Sequence, residues 1–198
     1  MTLSATQPVQ LQPSDTDLVT LSLRGDQKAF RQLVNRYLPL VYNYLYRMTQ
    51  NHEISEEMAQ EAFVKAYKNL KSFDQSRSFK PWLLRIASNA AISELRKQSK
   101  VVSLNALEEE GYWGEADHQP TDDIVVRLER KLSHDEVLNV LNQMDEKYRQ
   151  VLLLRYQQEL SYEEISQALG IPLNTVRTWI KRGLDKLKND VKEMALYD

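Results

Sequence analysis

The segment from Leu160 to Gly183 constrains the fold more than any other part of the chain. Ser161 and Glu164 make an S-x-x-E capping box, which starts a helix. Tyr162, Ile165 and Leu169 then fall on one helical face. Gly170 follows as a stop, because glycine takes the left-handed conformation of a helix end at little cost. Pro172 prevents the first helix from continuing. Asn174 or Thr175 can cap a second helix, whose buried stripe is Val176, Ile180, Leu184 and Leu187. Arg177, Thr178, Lys181 and Arg182 are left facing out. This is the layout of a helix-turn-helix, in which the second helix enters the DNA major groove. The alternative is a helical hairpin with a solvated cationic face. Cap, stop, breaker and stripe agree in order, which favours the DNA reading.

Composition fits a helical protein. The chain has 198 residues with 5 glycines and 6 prolines, and is rich in good helix formers. It lacks long alternating β-branched runs, so an all-α fold is expected. Its length suits one large domain or two small ones. Cysteine is absent, which excludes disulfides and thiolate metal sites and fits a reducing cytoplasm. The N-terminal stretch lacks the cationic start and apolar core of a signal peptide, and is read as a disordered tail over residues 1–14. No apolar run reaches membrane-spanning length, so a soluble cytoplasmic chain without membrane contact is expected.

A formal net charge of −2 is unusual for a DNA binder. The distribution explains it. Between Lys65 and Lys100 nine cations face two anions, and between Thr175 and Lys192 six face two. Val101 to Leu132 carries eight anions against three cations. Two basic surfaces on either side of an acidic connector suggest two separate contacts with nucleic acid.

Residues 15–100 read as one helical domain. A first helix carries Leu18, Leu21, Ala29, Phe30, Leu33, Val34 and Tyr37. A second run follows Pro39, with Leu40, Val41, Tyr44, Leu45 and Met48. A third helix starts near Ser55, with Glu56 and Glu57 in its first turn, and reaches about Leu70. A polar loop, Lys71 to Phe79, is bracketed by Phe73 and Phe79. A fourth helix opens at Pro81 and runs to about Lys97. Residues 101–132 form a linker that does not propagate a helix. Residues 133–198 make a second domain, in which Ser133 and Glu136 form another capping box. Val137, Leu138, Leu141, Met144, Val151, Leu152 and Leu153 are expected to pack on the helix-turn-helix.

Two blocks carry a resemblance. Glu56-Glu-Met-Ala-Gln-Glu-Ala-Phe63, with Phe79-Lys-Pro-Trp-Leu-Leu-Arg-Ile-Ala-Ser-Asn89 and Leu95-Arg96, resembles domain 2 of bacterial sigma factors. Met144-Asp-Glu-Lys-Tyr-Arg-Gln-Val-Leu-Leu-Leu-Arg-Tyr156 with the helix-turn-helix resembles sigma domain 4. Both blocks in order, over Asp15 to Lys192, are similar to the extracytoplasmic-function (ECF) group of the sigma-70 family.

The resemblance implies a transcription initiation factor. It would bind core RNA polymerase through the clamp coiled coil and the flap, read the −10 and −35 promoter elements, and promote DNA opening. Glu57, Gln60, Glu61 and Phe63 sit where the family contacts the clamp, although Phe63 equally suits a core position. Ser72–Phe79 corresponds to the promoter-opening loop, where an unpaired base is held in a protein pocket. Phe73, Asp74, Ser76, Phe79 and Trp82 offer apolar walls and polar edges for a base. Arg77, Lys80 and Arg85 offer cations, and Asn89, Arg96 and Lys97 would line the strand path. For Phe79 and Trp82 the competing role is closing the domain core, and Trp82 favours that role.

Asn174, Thr175, Arg177, Thr178, Lys181 and Arg182 would contact the −35 element. Arg177 suits a guanine edge, while Lys181 and Arg182 suit phosphate. Glu108, Glu109, Glu110, Glu115 and Asp117 of the linker would face basic polymerase walls; a solvated linker is the alternative. The chain departs from the family pattern at Ser93, where Asp is usual, at Asn174, where Gly is usual, and at Trp179, where Arg is common. An anti-sigma partner is common in the family, but no residue here identifies one.

Two rival readings, a conventional dimeric helix-turn-helix regulator and an enzyme, account for less of the chain. A conventional dimeric regulator leaves the Glu56–Phe63 block and the aromatic-bracketed loop unexplained. A hydrolase would need catalytic geometry, yet His52, His118 and His134 lie in separate segments without metal-ligand spacing, and no phosphate-binding glycine loop occurs. Catalysis, a cofactor and a metal are therefore not expected.

Overall fold

The structure, a computed structural model, describes residues 12–99 and 134–194. The tail reading up to residue 11, the acidic connector with its five named carboxylates, Lys100 and the Ser133 cap lie outside the described residues. Every described element is helical: α1 Asp15–Leu23, α2 Gln27–Thr49, α3 His52–Asn69 and α4 Phe79–Ser99 in the first half; α5 His134–Gln143, α6 Glu146–Leu152, α7 Tyr162–Leu169 and α8 Leu173–Met194 in the second. A short 3₁₀ turn, Leu70–Ser72, closes α3, and a π-helical turn, Leu153–Gln157, extends α6. No described helix is long and apolar enough to cross a membrane.

The first half departs from expectation in two places. A continuous helix from Leu18 to Tyr37 is interrupted at Gly25, whose φ of 96° lies in the left-handed region. There the Asp26 N–H returns to the Leu21 carbonyl at 3.1 Å, and the Asp26 carboxylate caps α2 by accepting from Lys28 N at 2.8 Å. Pro39, expected to separate two runs, lies inside α2. Proline costs such a helix about 3 kcal/mol. The stripe of Leu33, Tyr37, Val41, Tyr44, Leu45 and Met48, all buried, outweighs that loss by packing on both sides of the proline. Helix α3 begins at His52, not Ser55, because Asn51 accepts from Ile54 N at 3.0 Å. Helix α4 begins two residues before Pro81, which sits in the first turn.

The second half follows its sequence signals more closely. Ser161 and Glu164 form both arms of the capping box, and Gly170 ends α7 at φ 68°. Val176, Ile180, Leu184 and Leu187 are all buried. Helix α8 starts at Leu173, one residue before the expected caps, so Asn174 and Thr175 belong to its first turn. A Cβ added at Gly183 would stand 3.1 Å from Leu152, so this glycine allows α8 to lie close to α6.

Candidate nucleic-acid interface

The loop between α3 and α4 is held by rings beneath it and by a carboxylate within it. Phe73 and Phe79 are buried, with ring centres 5.6 Å apart. Trp82 lies 5.1 Å from Phe73 and 5.5 Å from Phe79, and remains half-buried. Tyr37 backs the cluster from α2, 5.5 Å from Phe79, and its hydroxyl bonds the Asp15 carboxylate. Asp74 accepts from Ser76 N at 3.0 Å and Ser76 Oγ at 2.7 Å, and pairs with Arg77 at 3.2 Å. The Ser76 hydroxyl and amide, with the Arg77 cation, hold the Asp74 carboxyl below the usual range. Thr20 Oγ1 donates to Gln75 at 2.9 Å and ties the loop to α1.

Phe79 therefore belongs to the core and stiffens the loop from below, while Trp82 contributes to the surface. A cleft of about 860 Å³ opens beside it, lined by Phe73, Asp74, Ser76, Arg77, Trp82, Arg85 and Asn89. Seven of the expected −10 residues thus come together around one concavity. Lys80 is half-buried and its ammonium leaves this group, donating to the Gln158 carbonyl at 2.5 Å. Arg96 and Lys97 are exposed in the last turn of α4, Lys97 pairing with Glu94 at 3.3 Å.

On α3, Glu57, Gln60 and Glu61 are exposed along one face, and Phe63 is buried on the other at 5% exposure. Phe63 thus shapes the helix rather than its outer surface. Glu61 pairs with Lys65 at 2.8 Å, which lowers the carboxyl pKa. Sequence reasoning missed two apolar residues on the outer face: Val64 is 51% exposed and Tyr67 48%. Val64 lies three and four residues after Glu61 and Gln60, and Tyr67 three after Val64, which was the available signal. Tyr67 packs edge-on against Phe30, ring centres 4.8 Å apart.

Helix α8 presents Asn174, Lys181 and Arg182 exposed and Thr175, Arg177 and Thr178 half-buried. The Thr178 hydroxyl donates to the Asn174 carbonyl at 2.9 Å. Trp179 is half-buried against the core, as a packing residue would be. A rigid helix with cations on its outer side matches a helix read into the major groove.

The two halves also touch each other, which no sequence pattern announced. Helix α4 packs along α7. The cleft beside the loop has Glu164, Gln167 and Gly170 of the helix-turn-helix as its other wall. Arg149 and Gln150 of α6 bond to Met48 and Tyr44 of α2.

Fold and site together define an all-helical protein whose second half carries a helix-turn-helix of the DNA-binding kind. The comparisons make this specific. Residues 33–101 match the Sigma-70 region 2 family and residues 134–187 the Sigma-70, region 4 family. The ECF RNA polymerase sigma factor SigW of Bacillus subtilis is 40% identical over 178 residues, spanning 86% of this chain and 93% of that protein. Among solved structures, CnrH in complex with the cytosolic domain of CnrY superposes with a TM-score of 0.67 at 24% identity, over 91% of this chain and 99% of that one. The sigma factor RpoE of Bartonella quintana, in complex with the anti-sigma factor NepR, superposes with a TM-score of 0.63 at 23% identity, over 83% and 98%. These two likenesses speak to the fold. The chain belongs to the ECF group of sigma-70 family RNA polymerase sigma factors. It directs RNA polymerase to promoters and is not an enzyme.

Proposed function

We propose that the first half, residues 15–100, binds core polymerase and opens the −10 element, and that the second, residues 133–198, reads the −35 element, with residues 101–132 as linker. The observation that carries this is the cleft, where rings, a polar carboxylate and Arg77 and Arg85 converge. A base that leaves the stack needs a flat apolar wall and hydrogen-bonding edges, and its strand needs cations. Trp82 and Phe73 supply the wall, Asp74, Ser76 and Asn89 the edges. Arg96 and Lys97 extend the phosphate path, which Lys80 would join only on leaving the Gln158 carbonyl.

Glu57, Gln60 and Glu61 form the clamp contact, with Phe63 supporting them from the core and Val64 and Tyr67 extending the surface. The flap is the expected contact of the second half. On α8, Arg177 reads a base edge, Asn174, Thr175 and Thr178 adjust its approach, and Lys181 and Arg182 hold phosphate. The factor works in the bacterial cytoplasm. The anti-sigma factor bound to the Bartonella quintana relative supports a comparable inhibitor here.

Run-off transcription tests the reading. Core polymerase lacking sigma is mixed with the chain and a pool of genomic promoter fragments, and the transcripts are sequenced. New discrete starts, lost when Gln60 and Glu61 are both replaced by alanine, are expected. Palindrome-dependent binding by the chain alone, without new starts, would instead establish a dimeric regulator.

A further inference from the structure

Helix α1, Asp15–Leu23, lies outside the region 2 match, which begins at residue 33, yet it reaches the loop between α3 and α4 by two routes. The direct one is the Thr20 hydroxyl, which donates to Gln75 Oε1 at 2.9 Å across 55 residues of sequence. The indirect one starts at Asp15. Its carboxylate accepts from the Tyr37 hydroxyl, and the Tyr37 ring stands 5.5 Å from Phe79, in the floor of the loop.

The helix is fixed firmly enough to act as a reference. The Ser14–Asp17 capping box starts it, and Leu18 and Val19 are buried against the bundle. Arg36 of α2 pairs with the Asp15 carboxylate and donates from Nη2 to the Pro13 carbonyl at 2.8 Å. The first turn is thus pinned to α2, and Thr20 stands about 7.5 Å further along the same axis.

The loop needs such a reference. Its own bonds join Asp74 to Ser76 and Arg77, so they shape the turn without placing it on the bundle. Phe73 and Phe79 anchor its ends. Between those ends, among the described residues, Thr20–Gln75 is the one side-chain hydrogen bond from residues 74–78 to another helix. Gln75 lies between Asp74 and Ser76, which both line the cleft. A recognition edge selects its target only when held to about 0.5 Å.

We propose that α1 positions the loop: Thr20, through Gln75, sets where Asp74 and Ser76 stand over the rings, and so how strictly one base of the −10 element is selected. Thr20 is a positioning residue and touches no DNA. This rests on the −10 reading of the loop. The bond is solvent-exposed and adds little to stability, so its loss shows in base selection and not in folding.

The test uses the full chain with core polymerase on a duplex promoter found by the run-off screen. Each −10 position carries each of the four bases in turn, and run-off yield gives the preference at every position. Thr20→Val keeps the side-chain shape and removes the donor, whereas Thr20→Ser keeps the donor. Thr20→Val is expected to flatten the preference at one −10 position about fivefold, the scale of one net hydrogen bond. Its −35 preference and urea midpoint should match the parent, and Thr20→Ser should keep the parent's preference throughout. Gln75→Leu should equal Thr20→Val, and the two together should be no worse than either, because both remove the same bond.

A parent-like preference in Thr20→Val overturns the proposal. So does a uniform loss at every position with a lower urea midpoint, which makes α1 a stabilising helix only. Additive losses in the double variant overturn the route through Gln75. Asp74→Ala in the same assay separates this from the −10 reading. If it too leaves every preference intact, the loop does not read a base and that reading falls. If it alone changes a preference, the loop reads the base without help from α1.

Discussion

On the proposed reading the two halves meet DNA in opposite ways. The first builds a concave surface from a loop laid over aromatic rings, with Phe73 and Phe79 buried beneath Asp74, Ser76 and Arg77. The second builds a convex surface from one helix, fixed by an aliphatic stripe and by caps. The proposed targets account for the difference. Duplex DNA offers a groove of constant width, into which a straight helix fits. An unpaired base offers two faces and an edge, and needs a pocket. A loop can make a pocket only if something stiff lies under it.

That contrast is most sharply broken at Phe79. Its side chain is 2% exposed and touches Tyr37, Trp82 and Phe73. Phe79→Ala is expected to cost about 3–5 kcal/mol in urea unfolding, and to abolish promoter opening in a permanganate footprint. A loss under about 1 kcal/mol would mean that the loop stands without its rings. On the convex side, Arg177→Ala should cost about 1–3 kcal/mol at one position of the −35 element and relax the preference there. Lys181→Ala should weaken all sequences alike and lower the salt slope of holoenzyme binding by about 0.9. If the two variants behave the same way in a competition assay, α8 does not divide base from phosphate contacts.

The halves also differ in how far their sequence announces them. In the second, Ser161, Glu164, Gly170 and the Val176–Leu187 stripe act locally, each within a turn of its partner, so pattern alone locates α7 and α8. In the first, Pro39 was misread because a long stripe with cross-helix packing overrides a local breaker. Gly25 and Asp26 carried a stop and a cap that periodicity across them concealed. Phe63 was ambiguous, since an apolar residue on α3 fits either face until the helix is oriented; its burial settles the orientation. The join between the halves had no local signature at all. Arg149 and Gln150 look like surface residues, and their acceptors Met48 and Tyr44 lie 101 and 106 residues away.

A smaller effect distinguishes backbone from packing within the turn. Gly170 has φ 68° and nothing within 4 Å of an added Cβ. Gly170→Ala should therefore cost about 1–2 kcal/mol from the left-handed conformation alone, read as a lower denaturation midpoint with an unchanged m-value. Gly170→Asn should recover part of it, because asparagine tolerates that region. Equal losses for both would mean that the Cβ meets a neighbour when the turn moves.

The smallest effect compares the same device in both halves. Ser14 with Asp17 and Ser161 with Glu164 each form a complete capping box. The first lies at an exposed helix start, the second half-buried where α7 meets α4. Ser161→Ala is expected to cost about 1 kcal/mol, and Ser14→Ala less, in parallel urea titrations. Ser161→Ala removes the hydroxyl that accepts from the Glu164 N–H at 3.1 Å, which loosens the start of α7 and so the wall that Glu164 gives the cleft. Energy transfer between dyes on α2 and α8 should then fall for Ser161→Ala and stay constant for Ser14→Ala. A change common to both would trace the effect to general loss of helix rather than to the place where the two recognition surfaces meet.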